Sequence, residues 1–178
     1  LFNANVGFAN GGAYLYGPLS LEYNNGDWHN VAIVYNHIID QVNFYFDGVL
    51  NASMPNIGSM DLTNVGDFII GSDRNNDGDF NGLIDNVILF DKSLSEIEIQ
   101  QYMSCPPSGN EEGLVGYWNF EEGSGGTAFD QTGNGNDGTI NGATWSTDVP
   151  EQSCSFCSSS DEINVTINVC GCTDDQAC

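Results

Sequence analysis

Basic residues are almost missing from this chain. Arg74 and Lys92 stand against 25 Asp and Glu in 178 residues, a formal net charge of −23. Two cations cannot assemble a basic patch, so nucleic acid and anionic membrane surfaces are not expected as partners. Long apolar runs are missing too. Nothing approaches the roughly 18 consecutive apolar residues a membrane helix needs, so membrane insertion is not expected. The two histidines, His29 and His37, lack a Gly-x-Ser-x-Gly nucleophile signature and read as hydrogen-bonded surface or edge groups. No Gly-rich loop follows a strand to cradle phosphate, and no activated nucleophile stands out, which argues for binding over catalysis. The chain starts at Leu1 without Met or a charged-then-apolar signal segment, and so reads as a mature or excised piece.

What is present favours an all-β chain: 22 Gly and few long helical patterns. The turn signal Asn24-Asn25-Gly26-Asp27 is followed by Trp28, read as core or edge packing, and by the buried strand Val31–Tyr35. Short strands are expected at 13–16 and 19–23. Residues 42–50 alternate, with Val42, Phe44 and Phe46 on one face and Asn43 and Tyr45 on the other, up to the turn Asp47-Gly48. The stretch 66–103 organises the rest. Phe68–Ile70 reads as a short apolar strand ending at Gly71, an acidic loop follows, and Leu83–Phe90 reads as a second strand with apolar groups on both faces, so it should be covered twice. Two capping boxes, Ser93/Glu96 and Ser95/Glu98, then open a short helix whose Leu94, Ile97, Tyr102 and Met103 should face the sheet.

The order FIIGSD, acidic loop, FNGLIDNVILFDKSLSEIEI resembles the C-terminal part of a laminin-G-like, concanavalin-A-type jelly roll related in fold to the pentraxins. The segments GDWHNVAIVYN (26–36) and VNFYFDGVL (42–50) resemble that family's middle strands, so the likeness covers about 20–103. It implies an antiparallel β-sandwich with one short helix, here followed by a Cys-rich tail. Function varies more than fold in such families.

The loop Asp73-Arg-Asn75-Asn76-Asp77-Gly78-Asp79 places oxygen side chains at alternate positions with a Gly where the backbone must turn, a pattern suited to calcium. An EF-hand is rejected because Ile84 occupies the twelfth position, where a bidentate Glu belongs. Pentraxin relatives carry calcium ligands in this loop. The resemblance assigns Asp73, Asn75 and Asp77 as ligands, with Asp79 in reserve. The competing reading is a turn rich in Asx hydrogen bonds without a metal. Asp85, at a recurring family position, reads as a ligand or as a turn hydrogen-bonder. Asp130, Asn134, Asn136 and Asp137 form a second such loop, where Gly133, Gly135 and Gly138 favour a simple turn.

Six cysteines, Cys105, Cys154, Cys157, Cys170, Cys172 and Cys178, all follow the jelly-roll portion and are read as disulfide partners in an oxidising, extracellular compartment. Three bridges allow 15 pairings, and spacing alone does not choose. Structural zinc is disfavoured, because Cys170-Gly-Cys172 is tight for a tetrahedral site. Asn51-Ala-Ser53 and Asn164-Val-Thr166 fit the N-glycosylation pattern.

The expected organisation is 1–104 as the jelly roll, 105–153 as a Pro-Pro linker followed by laminin-G-like opening strands in GLVGYWNFEEGSGGTAFDQTGNGNDGTINGATW (113–145), and 154–178 as the Cys-rich segment. So short a piece cannot bury its own sandwich. It either folds back to complete 1–103, enters a neighbouring copy by strand donation, or forms a repeat stapled by Cys105 and Cys154. Folding back is favoured because free strand edges invite association. The tail holds an alternating strand, Ile163–Val169, and its CGCTDDQAC resembles units of large secreted proteins from marine Bacteroidetes. The expected role is adhesion or binding of a glycan or surface polymer. The alternative is a filament or sheath subunit that self-associates through 113–145. Glycoside hydrolysis is disfavoured because Glu111-Glu112 and Glu121-Glu122 are adjacent pairs, whereas hydrolases need two carboxyls facing one bond about 5–10 Å apart.

Overall fold

A computed structural model describes residues 7–10, 13–16, 25–55, 67–72 and 79–154. Among them the chain is all-β, with antiparallel strands and one short helix. The order is β1 (Gly7–Asn10), β2 (Ala13–Tyr16), β3 (Val31–Asn36), β4 (Gln41–Phe46), β5 (Val49–Pro55), β6 (Val87–Phe90), α1 (Glu96–Ser104), β7 (Leu114–Trp118), β8 (Thr127–Ala128) and β9 (Gly138–Thr139). β1 pairs with β2, and the strand expected at 19–23 lies outside the described residues.

The three-stranded meander β3-β4-β5 holds the central packing. Its strands are rich in Val, Ile, Phe and Tyr, whose branched or flat side chains suit a pleated surface. Alternation along β4 buries Val42 and Phe44 completely, and Ile33, Tyr35, Ala52 and Met54 pack against them from both neighbours. Phe46 is only half-buried and Tyr45, expected outside, is buried, because the β4–β5 register shifts between Phe44 and Tyr45. Such a bulge re-aims the side chains beyond it. The hairpin turns through Asp47 (φ 47°) and Gly48 (φ 74°), two consecutive left-handed residues whose twist matches that of the strands. The Asp47 carboxylate accepts from Asn30 N at 2.9 Å and meets His29 Nδ1 at 2.9 Å, fixing the start of β3 to this turn.

The apolar run Phe68–Ile70 is not a strand but irregular chain, and the extended segment expected over 83–90 is paired only from Val87 onward. Asn86 explains the late start, because at φ 51° it cannot continue a ladder. The four residues of β6 are all half-buried, in keeping with cover on both faces.

α1 begins at N-cap Ser95, whose hydroxyl accepts from Glu98 N while the Glu98 carboxylate accepts from Ser95 N at 2.7 Å. The first expected capping box does not form; the Ser93 hydroxyl donates to Tyr35 O at 2.8 Å and ties the helix entry to β3. The buried face agrees with the expected one at Leu94 and Tyr102, both half-buried, and differs at Ile97 and Met103, which are exposed. Ile99 is buried, Tyr102 meets Phe90 at 5.2 Å between ring centroids, and Ile97 points away, 74% exposed. Gln100 Nε2 donates to Gly48 O at 3.0 Å, and a Cβ on Gly48 would lie 2.8 Å from Gln100 Cγ, so the helix seats where this turn has no side chain.

Beyond α1 the chain returns alongside β6, and the two strands form a ribbon of their own. β7 runs antiparallel to β6, with Val87 opposite Trp118, Ile88 opposite Tyr117 and Leu89 opposite Gly116. Cys105, at the helix C-cap, is disulfide-bonded to Cys154, so residues 105–154 are closed into a loop that begins and ends beside α1. Cys157, Cys170, Cys172, Cys178 and the expected strand 163–169 lie outside the described residues.

Candidate functional site

The loop singled out for calcium springs from a closed base. Phe80 N donates to Gly71 O at 2.8 Å, and the Ser72 hydroxyl donates to Asp79 Oδ1 at 2.7 Å. Gly71, at φ 80°, leaves room for Ile84, whose Cδ1 would lie 3.1 Å from an added Cβ. The base therefore sits against the approach to β6. Asp73, Asn75 and Asp77 lie outside the described residues, and Asp79 stands at the loop's end with one oxygen committed to Ser72. Among the described residues no three His, Cys, Asp or Glu side chains gather in a way that could hold a metal.

Beside this base lies an aromatic pair. Phe68 is 58% exposed and stacks on Trp118, which is 5% exposed, at 5.6 Å between centroids and 25° between planes. Three features fix the indole. It is on a paired strand, its N–H donates to Asn136 O at 2.9 Å, and it lies over Gly116, where a Cβ would come within 2.5 Å of the ring. A rigid buried ring thus supports an open one.

At the mouth of the β6–β7 ribbon runs a polar chain. The Tyr117 hydroxyl donates to Asn86 Oδ1 at 2.8 Å, and Asn86 Nδ2 donates to Asp85 Oδ2 at 2.8 Å. Burial pushes the Asp85 carboxyl upward; its hydrogen bond with the Asn86 backbone opposes the shift and the negative charge of Glu121 adds to it. Burial, reinforced by the charges of Asp85, Glu121 and Glu111, pushes the Tyr117 phenol up to about 12, so it remains a neutral donor. Asp85 therefore hydrogen-bonds its neighbour, in line with the turn reading. The Tyr117 link was not legible in the sequence, because a contact across 31 residues leaves no periodic signal.

The second oxygen-rich loop forms a turn that its own amides fill. Burial works to raise the Asp130 carboxyl, but donation from the Asn136, Thr132 and Tyr117 amides and the Thr132 hydroxyl outweighs it and holds the pKa below the usual range. Asp137 Oδ1 accepts from Asp130 N at 2.9 Å. Asn134 Nδ2 donates to Leu114 O and Val115 O, and Asn136 Nδ2 to Val115 O, so side-chain amides serve the carbonyls along β7.

The adjacent acid pairs diverge. Glu122 Oε1 accepts from Phe129 N at 2.7 Å, whereas Glu121 is exposed and acts on Asp85 and Tyr117. Glu111 caps the Ser108 and Gly109 amides, at 2.7 and 3.0 Å. Trp28 is half-buried and its N–H donates to Asp148 Oδ1 at 3.2 Å, which makes it a clasp.

Two solved structures are similar to this chain. One, from Bacteroides ovatus, carries a provisional carbohydrate-binding assignment; it is 23% identical with a TM-score of 0.57 and covers 76% of this chain. This chain spans 42% of its length. The other is residues 221–444 of an S-layer domain-containing protein from Clostridium thermocellum, 23% identical with a TM-score of 0.41, covering 52% of this chain and 45% of that one. No curated protein matches the sequence. The sequence pattern of one family does match, over residues 3–100, and by that match the chain belongs to the concanavalin A-like lectin/glucanases superfamily, in its laminin-G form.

Proposed function

We propose that the chain is a non-enzymatic glycan-binding module acting outside the cell, with the loop 72–79 stabilised by calcium. The observation that carries this reading is the open Phe68 ring on buried Trp118 beside the closed base of that loop. Sugar rings present apolar C–H faces to an aromatic plane, while nearby amide and carboxylate groups hold their hydroxyls. Support also comes from the carbohydrate-binding assignment of the Bacteroides ovatus protein. A binding role agrees with the diverging acids Glu121 and Glu122. An extracellular location agrees with the Cys105–Cys154 disulfide. Asp73, Asn75, Asp77 and Asp79 would supply an all-oxygen donor set of the kind a hard cation takes. Residues 105–153 complete the sandwich of 1–104 in this reading, supported by the β6–β7 pairing.

The test is a glycan array probed with and without chelator, repeated with Phe68→Ala. Binding that falls in both arms is expected. An array on which nothing binds, or on which the variant equals the parent, sinks the proposal. A second reading, a filament or sheath subunit, draws on the same β6–β7 pairing, because residues 113–145 exchanged between copies would make identical contacts in trans. Light scattering that finds polymer in the full chain and none after deletion of 113–145 would select it.

A further inference from the structure

We propose that Asn81-Gly82 and Asn141-Gly142 are sites of spontaneous backbone modification, whereas Asn25-Gly26 and Asn134-Gly135 are protected by the fold. In an Asn-Gly pair the glycine backbone nitrogen attacks the side-chain carbonyl carbon. A C–N bond closes the five-membered succinimide and the side-chain amide leaves as ammonia. Water then opens the ring to Asp or isoaspartate, so the conversion needs no oxidant, metal or enzyme. Glycine permits it because no Cβ hinders the attacking nitrogen.

The sequence holds five such pairs, at Asn10, Asn25, Asn81, Asn134 and Asn141, and does not rank them. The structure does. Asn134 has its leaving amide held by Leu114 O at 3.2 Å and Val115 O at 2.9 Å, facing β7. Asn25 has its carbonyl oxygen engaged by Asp27 N at 2.9 Å and His29 Nε2 at 3.0 Å, and its amide by Asp27 Oδ2 at 2.8 Å. Rotating either side chain onto the next nitrogen means breaking those bonds. Asn81 and Asn141 are exposed, and among the described residues neither side chain has a hydrogen-bond partner to hold it. Gly82 and Gly142 N–H groups make none of the loop backbone bonds among the described residues. Gly11 lies outside the described residues, so the pair at Asn10 is not ranked.

The consequences differ by place. Conversion of Asn81 puts a new carboxylate two residues from Asp79, at the mouth of the acidic loop, and isoaspartate there adds a methylene to the backbone next to the Phe80–Gly71 closure. Each event lowers the formal charge one unit below −23.

The test is incubation of the folded full chain in mildly alkaline buffer, followed by peptide mapping with mass spectrometry and isoaspartate methylation; a parallel sample is unfolded in urea. In the folded sample the peptides with Asn81 and Asn141 should gain the amide-to-acid mass difference several-fold faster than those with Asn25 and Asn134. In urea the four rates should converge. Equal rates in the folded chain, or slower conversion at Asn81 and Asn141, overturn the proposal. Asn81→Gln serves as a site control, and modification persisting in its peptide at the parental rate would also count against it.

Discussion

Gly116 and Asp130 show how much of this molecule depends on single groups. Trp118 lies across the position a Gly116 side chain would fill. Gly116→Ala must therefore displace the indole or the strand, and should cost about 1–3 kcal/mol in urea unfolding, with a red shift of Trp emission as the ring opens to water. Asp130 satisfies the buried Tyr117 amide together with the turn amides of Thr132 and Asn136. Asp130→Ala leaves those donors without an acceptor, and the loss expected in the same measurement is about 1–3 kcal/mol. Its depressed pKa also sets a sign. The stabilisation is present above the unfolded carboxylate range and is lost as pH falls through the lower folded value, so the variant should show a shallower acid limb. Tyr117 acts at the other end. With the folded phenol raised to about 12 from 10.0, its contribution is complete below 10 and declines as pH rises toward 12, and Tyr117→Phe should flatten that decline. Of these residues only the Asp130 loop was legible in the sequence, as an oxygen-rich turn. Gly116 reads as one of 22 glycines until the ring above it is seen.

At the scale of elements, α1 and the β6–β7 ribbon act together. The helix is legible from its Ser95/Glu98 box, and Ser95→Ala should cost about 1 kcal/mol by loss of the cap, read from the thermal midpoint. Its buried face was legible only in part: Tyr102 was read correctly but Ile99 was missed, because a nine-residue helix permits more than one apolar stripe and contact with Gly48 and Phe90 selects among them. The disulfide closes a loop with a sequence separation of 49 around β7, β8 and β9. Loop-closure entropy for that length is about 4 kcal/mol, so a Cys105→Ser, Cys154→Ser double variant should unfold at lower urea. It should also expose 105–154 to protease before 25–55. A variant cleaved first within β3–β5 would show that the staple does not hold the ribbon shut.

For the whole molecule, charge is the governing property. A net −23 repels anionic polymers at low salt, so glycan binding should discriminate against sulfated and uronate-rich chains. That discrimination should weaken as salt rises, as measured by array binding across an ionic-strength series. Calcium should raise the thermal midpoint in proportion to the logarithm of its concentration above the dissociation constant, and chelator should reverse the shift. An unchanged midpoint removes the ion from the proposal. Composition and turn residues pointed to an all-β chain, alternation marked β4 as far as Phe44, and the order of segments over 20–103 carried the resemblance to the jelly roll, because inward and outward side chains alternate along a strand. They did not determine that β6 pairs only from Val87, after Asn86, that Phe68, outside any strand, stacks on Trp118, or that Tyr117 reaches Asp85 through Asn86. Those contacts join residues far apart in sequence, and only packing of the folded chain decides which distant groups meet.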